Sequence, residues 1–228
     1  MHIVILIIAG IALLLAILYT AGSRLIFLFE KYNNTPCASQ VDTISLLYFF
    51  RSRLNLDFDI KRIAGKLTDC YIPSKKVIAL SDETFSNNSL SAVVVVSHEI
   101  GHAVQHTKHR FWFNLYRFLG GIFSLLGGIA VPAVIASAVL TLLAIEPQVA
   151  SILLFSGLAT LVSGFLFKLF TIPLEYSASN IAINILTDFR VISPDQVNLA
   201  RQITNAAAFT YVAEFIKDIL GLNLLKRR

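Results

Sequence analysis

Charge is what this chain has least of. Asp, Glu, Lys and Arg make up 14% of its 228 residues, against about 25% in an ordinary soluble domain. Apolar residues make up 56%, and the mean hydropathy is +0.71. That balance disfavours a cytosolic globule and excludes a disordered chain, which could not carry so much burial-prone surface. Cysteine is scarce too. Cys37 and Cys70 alone cannot build a disulfide framework or a four-thiolate zinc site. No internal repeat and no low-complexity linker breaks the chain. The net charge of +5 is modest, and we read it as a record of membrane topology rather than as affinity for nucleic acid.

What is present in quantity is long apolar sequence. Three stretches, at about 1–20, 119–145 and 149–170, reach the ~20 residues a helix needs to cross a bilayer. The first lacks a basic leading region and a small-residue cleavage site, so it is expected to stay as an uncleaved anchor. The short link between the other two, broken by Pro147, predicts a helical hairpin. Gly120, Ser124 and Gly128 recur at four-residue spacing on one span, and Ser156, Thr160 and Gly164 on the other. These small-residue stripes are expected to pack together in lipid. Lys and Arg crowd the segment 22–118 and the tail, while the hairpin tip holds only Glu146. The basic side faces the cytoplasm, and reduced cysteines fit that compartment.

Between the spans, Thr35 and Pro36 predict the start of a helix running to about Leu54. Short strands are expected near 58–60, 67–72 and 77–80, with a turn at Pro73-Ser74-Lys75-Lys76. Asn87 or Asn88 is placed to cap the long helix that follows. After the third span, Ile172-Pro173-Leu174 should interrupt the chain before a helix restarts at Glu175. Ser193-Pro194-Asp195-Gln196 has the pattern of a capping box.

The chemistry lies in His98-Glu99-Ile100-Gly101-His102, an HExxH motif. Residues four apart share a helix face, so His98 and His102 can reach one metal ion while Glu99 sits at the cleft edge as a proton acceptor. Zinc suits a pair of neutral imidazoles. The flanking valines Val93 to Val96 describe a buried helix, where histidines and a carboxylate need partners. A catalytic zinc takes a third protein ligand. The metzincin continuation fails, because Gln105 and Lys108 occupy its positions. His106 and His109 extend the run but cannot all converge on one ion, and we read them as flanking or surface residues. Glu175 is a lone carboxylate in apolar surroundings. It is either the third ligand or an acid favoured at a helix N-terminus by the dipole. Ser179 and Asn180 could orient metal ligands, but ordinary helix surface is the preferred reading.

Several segments together resemble the YugP-like neutral zinc metallopeptidases of bacterial membranes. They are Leu67 to Pro73, Leu80-Ser81, Asn88 to Leu90, Ser97 to Gln105, Pro173 to Ser179 and Ala207 to Ala213. The likeness covers nearly the whole chain, and the HtpX-type membrane peptidases are similar more distantly. The resemblance implies an integral membrane gluzincin with Zn2+ as cofactor and Glu175 as third ligand. It leaves Asp69, Cys70 and Ser177 without a role. Tyr211 stands as the candidate transition-state stabiliser, since a phenol can donate to a developing oxyanion.

The expected fold is a mostly α integral membrane protein, with three transmembrane helices and a small α+β zincin-like domain carrying a short β-hairpin. Its parts are an anchor at 1–20, a catalytic region at 21–118, a transmembrane hairpin at 119–170 and a helical region at 171–228. The expected function is a membrane-anchored zinc metalloendopeptidase with its site on the cytoplasmic side of the inner or plasma membrane. Its expected partners are the lipid bilayer and polypeptide substrates, chiefly membrane proteins; no nucleic acid is expected. The strand at 77–80 is the expected pairing edge for an extended substrate. Two rivals are an intramembrane site-2-type protease and a non-catalytic scaffold with a structural zinc. Lys108 and Arg110 close to the motif, and the lack of an N-P or L-D-G element, oppose the first. Retention of Glu99, which structural metal binding does not need, opposes the second.

Overall fold

The computed structural model describes residues 16, 20, 23–108 and 110–219, without the side chains of 110, 112, 124, 165, 168–170 and 209–219. The expected anchor at 1–20, His109 and the basic tail from 220 therefore lie outside the described residues, except for positions 16 and 20. Among the described residues the chain is mostly helical with one small sheet. It divides into two compact units, one joining Gly22–Asn114 to Pro173–Phe209 and the other built on Leu115–Ile172.

In the first unit, helix α1 covers 23–33 and α2 covers Thr43–Arg53. The helix expected from Thr35 thus starts later. Pro36 instead bridges to Ser89, and the Cys37 N–H donates to the Asn88 carbonyl at 3.0 Å. A distant partner overrides the local helix signal there. Asp42 is the cap, with Oδ1 accepting from the Ile44 and Ser45 N–H groups at 3.0 and 3.1 Å. Thr43, Leu46, Leu47 and Phe50 recur at helical spacing and are the residues α2 buries.

The sheet has the order β1-β3-β2, with β1 Asp59–Ile63, β2 Cys70–Ile72 and β3 Val77–Ser81. β2 and β3 form the expected hairpin, antiparallel with Tyr71 opposite Ile78, while β1 runs parallel to β3. Because β3 is the middle strand, hydrogen-bonded on both sides, the expectation that it pairs with substrate fails. Its edges are already used by β1 and β2. Asp69, just before β2, accepts from the Ser81 N–H at 2.8 Å, from Ser81 Oγ at 2.9 Å and from Thr84 Oγ1. It ties the entry of the hairpin to its exit.

Helix α3 covers Leu90–Lys108. Its cap is Ser89, one or two residues later than expected. Ser89 Oγ accepts from the Ala92 N–H at 3.2 Å, and Asn87 Oδ1 braces the Ser89 N–H at 2.8 Å. Val93, Val94, Val96 and Ile100 share the core with Leu47 and Phe50 of α2, Ile78 and Leu80 of β3, and Ile183 and Leu186 of α5. Helix α5 runs without a break from Pro147 to Asp188, with Pro173 inside it. The expected interruption at Pro173 is absent, since one proline costs one backbone hydrogen bond and neighbouring contacts can carry the helix through. Glu175 is consequently mid-helix, which removes its reading as an N-terminal dipole acid. Helix α6, Pro194–Ile219, opens with one arm of the expected capping box, the Ser193 N–H donating to Gln196 Oε1 at 3.3 Å while the Gln196 N–H donates to the Ser193 carbonyl at 2.9 Å.

In the second unit, α4 (Arg110–Leu142) and the first part of α5 are joined by a tight turn at 143–146. Phe113–Leu142 and Pro147–Gly164 are long and apolar enough to cross a membrane. Large apolar side chains such as Leu125, Ile129 and Phe155 are 67–74% exposed, an unusually large uncovered apolar surface for a protein in water. The described close approach of these helices does not follow the small-residue stripes. A Cβ on Gly120 would meet the Phe167 ring, whereas one on Gly128 would meet nothing within 4 Å among the described residues. The tight crossing is at Gly157, where a Cβ would lie 2.7 Å from Val134 Cγ2 and 3.0 Å from the Ala130 carbonyl. Four-residue spacing drifts by about 40° per step around a 3.6-residue turn, so such a stripe leaves the contact line.

Gly101 is the position on which the first unit turns. A Cβ there would lie 2.4 Å from the Ala178 carbonyl oxygen on α5, and both Ala178 and Ala182 are fully buried. Backbone meets backbone at that point, and no side chain fits. Gly101→Ala should destabilise the protein by about 1–3 kcal/mol in denaturant melts, the usual cost of overpacking. An unchanged midpoint would contradict the close crossing.

Candidate metal centre

Helix α3 presents His98 and His102 one turn apart on the face that crosses α5, their rings 4.7 Å apart and nearly perpendicular. The crossing brings Glu175 between them. Its Oε2 lies 3.2 Å from His98 Nε2 and 3.3 Å from His102 Nε2. The three side chains offer donor atoms within 4.8 Å of one another. Donors bound tetrahedrally at zinc's usual 2.0–2.1 Å would be about 3.3–3.4 Å apart. Glu175, His98 and Glu99 are all buried, and one carboxylate between two imidazoles is a normal zinc donor set.

Neighbouring groups decide which ring nitrogens face this point. The Gln105 side-chain amide donates from Nε2 to the Leu174 carbonyl at 2.9 Å, which turns its Oε1 toward His102 Nδ1 at 3.1 Å. An oxygen there requires Nδ1 to carry the proton, leaving the His102 Nε2 lone pair for a metal. Ser179 Oγ meets His98 Nδ1 at 3.1 Å and likewise leaves Nε2 inward. The residues fit a zinc ion in chemistry, spacing and tautomer. Gln105→Leu should therefore weaken zinc binding about 10- to 100-fold in competition with a chelator. Unchanged affinity would deny Gln105 that role.

Glu99 points elsewhere. Its Oε2 accepts the Tyr71 backbone N–H at 2.6 Å, off the edge of β2 that β3 does not use. Burial pushes its carboxyl pKa up, against the opposing pull of His98 and His102. A raised carboxyl is suited to taking and returning a proton near neutral pH. Burial, followed by the Glu99 and Asp69 charges, also pushes the Cys70 thiol up, which disfavours the thiolate form needed for metal binding or attack.

In the metal-free site His102 and Glu175 stabilise each other's charged forms. Burial pulls the His102 pKa down, but the hydrogen bond and charge of Glu175 outweigh it and hold the ring at about 9. Burial likewise raises the Glu175 carboxyl, and the two histidines outweigh it and hold it at about 2. The His102 contribution to stability is complete below its ordinary 6.5 and is lost as pH rises through about 9. The Glu175 contribution is complete above 4.5 and is lost as pH falls through about 2. Metal-stripped protein should thus melt highest between about pH 4.5 and 6.5, with Tm falling toward pH 9. Zinc added at pH 7 should expel about one proton, read by calorimetry in buffers of different ionisation heat. A flat Tm profile with no proton release would contradict the pairing.

His98, Glu99, His102 and Glu175 are therefore brought together, with Glu99 turned out of the donor cluster. Tyr211 lies on α6 where side chains are outside the described residues. His106, expected as a flanking or surface residue, instead meets the Tyr71 hydroxyl through Nδ1 at 2.9 Å. Ser179, expected as plain helix surface, is buried against His98. Gln105 was the unrecognised orienting residue. Its position three residues after His102, and that of Ser179 four after Glu175, put each on the same face as the residue it serves or accompanies, which was the available signal.

Two imidazoles one turn apart, a carboxylate from a second helix and a separate buried glutamate define the site class of zinc-dependent hydrolases. The chain belongs to the family described as "Putative neutral zinc metallopeptidase", which matches residues 4–226. It is 30% identical over 213 residues to the "Putative membrane protease YugP" of Bacillus subtilis (strain 168), covering 85% of this chain and 83% of that relative. No solved structure matches it significantly.

Proposed function

We propose that this protein is a membrane-anchored zinc metalloendopeptidase in which His98, His102 and Glu175 hold the metal and Glu99 is the general base. The observation that carries this is the division of labour between the two glutamates. Glu175 Oε2 sits between two inward Nε2 atoms, whereas Glu99 is buried beside them with a separate hydrogen bond. A structural metal site needs the first arrangement and has no use for the second.

Zinc bound here supplies Lewis acidity toward the scissile carbonyl and a water that is nucleophilic at neutral pH. The chain's own groups do the rest. Tyr71 N–H pins one oxygen of the Glu99 carboxylate, leaving the other to accept the proton of the attacking water. Glu99 then returns that proton to the departing amine nitrogen as the peptide bond breaks. Gln105 keeps His102 in the tautomer that binds metal, and Ser179 orients the His98 ring with Nε2 inward.

The two apolar helices and the likeness to a relative described as a membrane protease support a membrane location. With the apolar sequence at 1–20 they support three spans, and the Lys and Arg crowded into 22–118 and the tail support a site on the cytoplasmic side. Tethered in this way, the enzyme acts on membrane or membrane-proximal polypeptides. Glu99→Gln should retain stoichiometric zinc and lose cleavage of a casein or membrane-protein substrate by about 10²- to 10⁴-fold. Equal activity of the variant, or zinc-bound wild type that cleaves nothing, would refute the peptidase reading and favour a scaffold.

A further inference from the structure

We propose that the Tyr71–His106 pair is a positioning latch that holds the edge strand β2 on helix α3 and thereby fixes Glu99. The proposal rests on Glu99 being the general base. β2 is only three residues long and is the edge of its sheet, paired on one side to β3. A short edge strand held from one side is free to lift or slide. Yet Tyr71, at its centre, supplies the main-chain N–H that meets Glu99 Oε2 at 2.6 Å. The carboxylate is therefore only as well placed as the strand beneath it.

The side chain of the same residue provides the second attachment. Its hydroxyl lies 2.9 Å from His106 Nδ1, seven residues and so about 10 Å further along α3 than Glu99. The His106 ring is backed by Phe113, with ring centres 5.3 Å apart and planes 31° from parallel. One strand residue thus grips one helix at two points about two turns apart, which prevents both sliding and rotation of β2. Asp69 clips the residue before β2 to Ser81 and Thr84, so the strand is fixed from its entry as well. His106 is too far along α3 to join His98 and His102 on one ion, and its nitrogen toward the strand is engaged. Its role is exerted through Tyr71, and it is a positioning residue rather than a catalytic one.

The test compares Tyr71→Phe, His106→Leu, His106→Asn and the Tyr71→Phe/His106→Leu double variant in the full-length, zinc-loaded protein. Asn places a polar atom near the position of Nδ1. Zinc content should be unchanged throughout. In Tyr71→Phe and His106→Leu, kcat should fall about 3- to 10-fold, the worth of one neutral hydrogen bond, with KM within about twofold. His106→Asn should recover most of that loss, and the double variant should be no worse than the worse single variant. Hydrogen exchange at the residue 71 amide should accelerate about 3- to 10-fold in both single variants. Additive losses, no rescue by Asn, or unchanged exchange at residue 71 would overturn the latch, and loss of zinc in His106→Leu would make His106 a ligand instead. Should Tyr71→Phe fail to fold, the Leu and Asn variants at 106 decide alone. If the wild type cleaves no peptide, the peptidase reading fails, and amide exchange still judges the latch.

Discussion

The close crossing of α3 and α5 at Gly101 and Ala178 is the constraint on which the rest of the site depends. Glycine lets the two backbones approach to a distance that even a methyl group would forbid. That approach lets a short carboxylate on α5 reach two imidazoles on α3, with nitrogen–oxygen separations of 3.2 and 3.3 Å. A wider crossing would leave Glu175 unable to bridge both rings, and the two histidines would stand without a carboxylate between them. The glycine thus lies between the two histidines in sequence and is as much a part of the site as they are.

Burial then determines what those side chains must do. His98, Glu99 and Glu175 are removed from most solvent, and charged or polar groups in that situation require partners. Each has one of a different kind. Glu175 is set against the two imidazoles, Glu99 against a strand N–H, and the outward ring nitrogens against Ser179 and Gln105. The Gln105 amide is itself fixed by the Leu174 carbonyl, one residue before Glu175. A single side chain therefore links the orientation of a histidine on α3 to the segment of α5 that supplies the carboxylate. The same logic extends to β2, where Asp69, Tyr71 and their partners make a three-residue strand a firm support for the Glu99 carboxylate.

Local signals were followed where nothing distant competed with them. The helical spacing of HExxH, the hairpin around Pro73-Ser74-Lys75-Lys76 and the capping box at Ser193 involve neighbours within a few residues. All three appear where expected, the capping box through one arm. The failures share a cause. Thr35-Pro36 has the form of a helix start, but the chain there pairs with Ser89 and Asn88 instead. Pro173 has the form of a break, and α5 passes through it. The strand at 77–80 looked like an available edge until β1 took its other side. Gln105 was passed over and Ser179 was weighed as an orienting group but read as surface, because same-face spacing alone does not distinguish an orienting amide or hydroxyl from an exposed one.

Periodicity, composition and charge are properties of a chain and its immediate neighbours, so they alone settled the helix-rich class, the long apolar stretches and the pairing of two histidines one turn apart. Which carboxylate joins those histidines, which nitrogen each ring turns inward and which strand N–H holds Glu99 depend on segments 28 to 81 residues apart. Such contacts follow from where backbones can approach and which buried groups find partners. Only the folded arrangement decides them.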